Sequence, residues 1–354
     1  MTSPCLQKEI NHHNRCYKVK FLALHFILLI PLGLISKTQL EEVIGPTSGL
    51  NNPFGVTFDN QGNGYIAEYE GGRIFKLDKS GKLLLFSGDG TKGFSGDSML
   101  ASKGVFNGMH NLAWASNEVL YLSDTHNNLV RKIDLKTNLL STLAGIPNQK
   151  GFSGDGGPAT KAKLNTPISI SLTPDEKNLL IADISNNRIR SVDLKSGIIR
   201  TIAGNGKKGK PMDNQPTLEQ PLIGPRAATM DGSGNLLILD RNGNALREVR
   251  PNGKIYTLAG TGKKGNQDGM ALKSTFNGPK HLCLDKNENI VIADDKNNLI
   301  RLYNPKTKSV STILGGKATP KTVLNRPHGV ALAPDGSIWV CDSWNNRILI
   351  LRNY

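Results

Sequence analysis

Two sets of residues in this 354-residue chain have the types and spacing to do chemistry. The first lies in a short apolar segment that recurs as "PFGVTF", "MHNLAW", "PISISL", "PRAATM", "PKHLCL" and "PHGVAL". Its second position holds Phe54, His110, Ile168, Arg226, Lys280 and His328 in turn. Neutral imidazole ligates metals, so His110 and His328 are candidates for holding zinc or another divalent metal. Catalytic zinc takes about three protein ligands and an open position, so an acid or the neighbouring His281 would have to complete such a site. Arg226 cannot ligate, because its guanidinium stays protonated. With Lys280 it could instead grip a carboxylate or phosphate. The plainer expectation for the histidines is that they line a water-filled channel.

The second set is Lys92, Lys150, Lys208 and Lys264, each followed by glycine in a corresponding loop. Like charges gathered on one rim could draw an anionic polymer by long-range steering. The competing reading is a set of solvated loop lysines. No G-x-S-x-G elbow, H-E-x-x-H helix or C-x-x-C pair accompanies either set. Three stretches fit G-x-G-x-x-G, "GDGTKG", "GNGKKG" and "GTGKKG", but each ends a strand at the repeat period and opens no helix, which excludes a dinucleotide loop. "DNQGNG" at 59–64 imitates a calcium loop without flanking helices and reads as a hairpin turn.

The elements that position these residues are repeats. An acid followed by an Asn or Gly pair recurs at Glu68, Asp124, Asp183, Asp240, Asp294 and Asp342. A period of this length implies stacked supersecondary units. Each unit reads as four short strands; in the third they are "ISISLTP", "LLIAD", "RIRSVDL" and "IIRTIAG". No stretch sustains a 3.6-residue apolar period, so crossover helices are not indicated. Repeated four-stranded sheets make a β-propeller, and six acids make six blades. The last unit ends at Tyr354 one strand short, and "LEEVIG" at 40–45 matches the missing fourth strand. Pairing the two would close the ring and remove an open sheet edge. Arg131, Arg190, Arg247 and Arg301 each lie seven residues after the acid, where they could meet it diagonally across a hairpin. Recurrence in blade after blade marks these groups as scaffold.

The D-x-x-N-N-[RL]-[IV]-R element, the following "TIAGNG" or "TLAGTG", and "GFSGDGGPATKAKLNTP" resemble the bacterial NHL-repeat family over roughly residues 40–354. That resemblance implies an all-β, six-bladed propeller and leaves function open, because such propellers serve several functions. Within it, "RPHGVAL" and "GMHNLAW" are similar to the strand starts of peptidylglycine-type amidating lyases, whose histidines on alternate blades hold zinc. The matching positions are His110, Arg226 and His328. Two of the three fit, which puts that activity in doubt.

Ahead of the repeats, Lys8, Arg15, Lys18 and Lys20 precede the apolar run from Phe21 to Ser36. This is the pattern of an export signal, and the run is short for a membrane span. The expected organisation is residues 1–36 as signal peptide or membrane anchor and 37–354 as propeller. The expected location is periplasmic, extracellular or anchored facing outside. Net charge is +15 at pH 7, and most of the excess lies beyond residue 36. An exported basic protein could meet an acidic cell-envelope ligand or a protein partner. Nucleic acid is disfavoured by export and by the lack of aromatic residues interleaved with the lysines. The membrane enters only through the N-terminal segment, and a monomer is expected. Cys283 and Cys341 read as small core residues rather than a disulfide framework. The functional expectation is a non-catalytic binding module. The alternative is a metal-assisted lyase or hydrolase, amidating-lyase-like or lactonase-like, centred on His110 and His328.

Overall fold

The computed structural model describes residues 17–18 and 38–354. Apart from Tyr17–Lys18, which pairs with Lys82 and Leu83, the expected signal or anchor lies outside the described residues. Six antiparallel sheets form the fold, and three-residue 3₁₀ turns are the only helical elements among the described residues. In blade 3 the strands run outward in chain order, Pro167–Leu172, Asn178–Asp183, Arg188–Asp193 and Ile199–Ala203; in every blade the innermost three strands do so. The innermost strands neighbour one another in cyclic order, and that of blade 6 meets that of blade 1. Apolar side chains from adjacent blades form the core between sheets.

Closure occurs where the sequence places it. The strand Gln39–Ile44 is the outermost strand of blade 6 and pairs antiparallel with Arg347–Arg352, Leu40 opposite Leu351 and Ile44 opposite Ile348. Ile44 is fully buried. One sheet therefore joins residues 39–44 to the last strand, Arg347–Arg352.

The repeated acid organises the face that bears the lysine loops. Asp183 accepts from the backbone N–H of Asn165 at 2.8 Å and from Asn186 Nδ2 at 2.8 Å. The same Asn186 amide donates to Gly151 O at 2.7 Å, which ties the Lys150–Gly151 loop to the turn. Asn127 and Asn297 hold Gly93 and Gly265 in the same way, so these lysine loops share the face of the D-x-x-N-N turns. The second Asn of the pair adopts a left-handed φ, 57° at Asn128 and 50° at Asn346, and reaches the next blade. Asn128 Oδ1 accepts from Thr166 N at 2.9 Å; Asn346 Oδ1 accepts from Asn52 N at 2.8 Å across the ring closure. Blade 1 departs consistently: Glu68 replaces Asp, and a Cβ on Gly71 would lie 1.9 Å from the Glu68 carboxylate, so the longer acid requires glycine there.

The arginines do meet the acids, and each is fully buried. Arg301 lies 3.0 Å from Asp294 and 2.6 Å from Asp268, and Arg190 lies 3.5 Å from Asp183 and 2.6 Å from Asp155. The second acid, supplied by the connector between blades, was not anticipated from the hairpin alone.

Candidate functional site

The centre of the ring is built by a backbone device shared by all six blades. Two residues before each central side chain, the chain takes a left-handed φ: Asn52, Gly108, Thr166, Gly224, Gly278 and Arg326, between 52° and 67°. Glycine accepts this conformation without cost, whereas Thr166 and Arg326 are strained in it. Five of the six are held by the Asn Oδ1 bond from the preceding blade; blade 2 lacks it because blade 1 has Gly72 in place of that Asn. The kink delivers Phe54, His110, Ile168, Arg226, Lys280 and His328 to one mouth, and all six are buried.

The mouth has two unlike halves. On blades 4 to 6, four cations gather around one carboxylate. Arg326 makes a bidentate contact with Asp295 at 2.5 and 2.8 Å, Arg241 reaches it at 3.3 Å and Lys280 Nζ at 3.3 Å. Asp295 is fully buried, and although burial opposes it, the cations hold its carboxyl below the usual range. Arg226 is the fourth cation and pairs with no carboxylate. Its Nη2 donates to His328 Nε2 at 2.9 Å, and its Nε is buried without a partner. Burial and then the nearby Arg241 bring its pKa down to about 9. Lys280 is brought down to about 7, chiefly by burial, with repulsion from Arg226, Arg241 and Arg326 outweighing part of the attraction of Asp295.

Blades 1, 2 and 6 supply the aromatic half. Tyr69, Phe54 and His328 stack in a row, with centroids 4.5 and 4.0 Å apart and planes within 16°. Tyr69 Oη lies 3.1 Å from His126 Nε2. His110 packs edge-on against Phe54 and Tyr69. Its Nδ1 lies 2.9 Å from both Gly108 O and Thr125 Oγ1, and the Thr125 hydroxyl already donates to Pro167 O, so Nδ1 carries the proton. Nε2 is then an acceptor with no protein partner among the described residues.

These positions correct two expectations. The histidines do not line a water-filled channel: His328 is fully buried and His110 nearly so. Beneath them, His281 Nε2 accepts from Asn111 Nδ2 at 3.0 Å, a contact between opposite blades. The metal reading fails on its donors. His328 Nδ1 donates to Phe54 O at 3.0 Å and Nε2 accepts from Arg226, which occupies both nitrogens. His281 is committed to Asn111 and Val330 O. Burial lowers the pKa of all three imidazoles, His281 to about 4, so they are neutral. Among the described residues no three His, Cys, Asp or Glu side chains are grouped to hold a metal ion. The arrangement does not fit zinc.

The four loop lysines are exposed at the outer part of the same face, and Lys92 pairs with Glu70 at 2.5 Å. They do not join the central cations among the contacts described. Sequence reasoning brought Arg226 and Lys280 together correctly and missed Arg241, Asp295, Arg326 and Tyr69. A signal for them exists. Arg241, Asp295 and Tyr69 occupy the residue after the repeated acid, and Arg326 the residue before the repeated proline, positions that vary while their neighbours repeat.

Comparison with known proteins agrees with this architecture. The NHL repeat family matches residues 324–351, the strands and turn of blade 6. Residues 324–351 thus match an NHL repeat within a six-bladed propeller. NHL repeat-containing protein 2 of Gallus gallus is 26% identical over 345 residues, covering 86% of this chain and 47% of the relative. The chain thus spans about half the length of that curated relative. Among solved structures, an auxiliary nutrient binding protein from Bacteroides thetaiotaomicron superposes with a TM-score of 0.64 at 14% identity, over 89% of this chain and 76% of that one. A streptogramin B lyase superposes with a TM-score of 0.56 at 16% identity, over 90% and 98%. At such identities the likeness is one of fold.

Proposed function

We propose that this NHL propeller is an exported binding module that takes an anionic group at its central mouth. The observation that carries the reading is Arg226: a buried guanidinium that pairs with no carboxylate among the described residues and donates to His328. An uncompensated buried charge costs on the order of several kcal/mol, and a bound anion would repay that cost. Arg226 and Lys280 supply the grip, Asp295 holds Arg241 and Arg326 in place beside them, and the exposed lysines steer an acidic ligand to this face. Export rests on the basic and apolar N-terminal segment.

The fold serves both a nutrient binding protein and a lyase, so the site must choose between the classes. The metal-assisted lyase or hydrolase reading needs free imidazole lone pairs, and Arg226 occupies the one on His328. A screen of small carboxylates and phosphates by thermal shift, with and without chelator, tests the proposal. Stabilisation by anions that chelator leaves intact supports it. Chelator-sensitive turnover of a lyase or lactone substrate, lost in His110→Ala, would replace it.

A further inference from the structure

The two halves of the mouth together specify more than a charge. The aromatic row ends at Tyr69, which is half-buried, with one face packed on Phe54. Lys280 Nζ lies 5.1 Å from the Phe54 centroid, and Arg226 touches His328 of the same stack. A carboxylate held by Arg226 and Lys280 therefore carries its attached carbons against an aromatic wall. His110 Nε2, an acceptor with no protein partner among the described residues, offers a lone pair to a hydroxyl donor beside it. Above, the loops present polar groups, His126 and Ser185, and a second ring, Trp344, 55% exposed with Arg326 5.0 Å from its centroid.

A ring that packs on Tyr69, a carboxylate for the cations and hydroxyl donors for the imidazole are the features of one ligand class. We infer that the mouth binds a uronic acid: a pyranose bearing a carboxylate, free or as a residue of an acidic glycan. This rests on the anion-binding reading and deepens it. A simple carboxylate satisfies only the cations. A neutral sugar leaves Arg226 uncompensated. An arene acid without hydroxyls packs on Tyr69 but offers His110 Nε2 no donor.

Isothermal titration of the full chain at pH 6.5 with galacturonate, galactose, acetate and benzoate tests the inference. The expected result is galacturonate at least about tenfold tighter than acetate, about 1.4 kcal/mol, with galactose not measurable and benzoate weaker than galacturonate. Tyr69→Ala should erase the galacturonate advantage over acetate. Arg226→Gln should abolish both. Because Arg226 is buried, Lys280→Gln serves as a second variant, with circular dichroism to confirm folding. Equal affinity for acetate and galacturonate, or tighter binding of benzoate, would overturn the uronate class while leaving the anion site standing. Failure of every acid to bind would overturn both.

Discussion

Arg226 Nη2 donates to His328 Nε2 at 2.9 Å, so a cation takes the lone pair that a metal would need. The contact also fixes the His328 tautomer, since Phe54 O at Nδ1 can only accept. It separates this mouth from a two-histidine metal site built on the same register.

Metal content follows from that contact. Full-length protein purified with zinc present should carry well under one equivalent per chain by elemental analysis, and His110→Ala/His328→Ala should not change the value. One equivalent per chain, lost in the double variant, would mean that Arg226 swings away and that the donor geometry above is wrong.

Lys280 sets a pH dependence with two opposite signs. Its pKa falls from 10.5 to about 7 in the fold, because burial disfavours the charged form. Between pH 7 and 10.5 the unfolded chain binds more protons than the folded one, so this group makes stability rise with pH across that window. Anion affinity should move the other way, falling by up to about tenfold between pH 6 and 8.5 as the ammonium is lost. Titration of a carboxylate ligand at both values reads the change, and Lys280→Met should flatten it.

The arginine clamps are predicted to be structural. Asp183→Ala leaves Arg190 fully buried against Asp155 alone and removes the acceptor for Asn165 N and Asn186. Breaking a buried pair in this way costs about 3–5 kcal/mol. Denaturant unfolding should show a loss of that size. A value below about 1 kcal/mol would indicate that the connector acid is sufficient.

Ring closure can be tested at its two smallest links. Ile44→Ala empties a fully buried position in the closing strand and should cost about 2–5 kcal/mol. Asn346→Ala removes the bond to Asn52 N and should cost about 1 kcal/mol. Both are read by chemical denaturation of the full chain. No loss in Ile44→Ala would mean that the N-terminal strand is dispensable for closure.

The scaffold was legible because repetition exposes it. Asp124, Asp183, Asp294 and Asp342 recur with their Asn partners, so the turn, the blade count and the closing strand could be read by alignment of the chain with itself. The diagonal Asp–Arg pair was legible for the same reason. The mouth was legible only along one strand register, at His110, Arg226, Lys280 and His328. Its counter-ion Asp295 and the clamp Arg326 lie in different blades, 31 residues apart along the chain and in direct contact in the fold. Such a pairing depends on how neighbouring blades pack, which spacing within one unit does not encode. Burial was missed for a related reason. A histidine at a strand start looks exposed until Phe54 from the next blade stacks on it and Arg226 reaches across the ring.

The loop lysines offer the competing location for an acidic ligand, and the most direct measurement sets them against the mouth. Carboxylate and phosphate affinities would be determined at pH 6.5 for the full chain, for Arg226→Gln, and for the Lys92→Ala/Lys150→Ala/Lys208→Ala/Lys264→Ala variant. An anion site at the mouth predicts at least tenfold weaker binding in Arg226→Gln, about 1.4 kcal/mol or more, and only a modest, salt-dependent loss in the lysine variant. Unchanged affinity in Arg226→Gln, with binding abolished by the lysine substitutions, would contradict it and move the site to the rim.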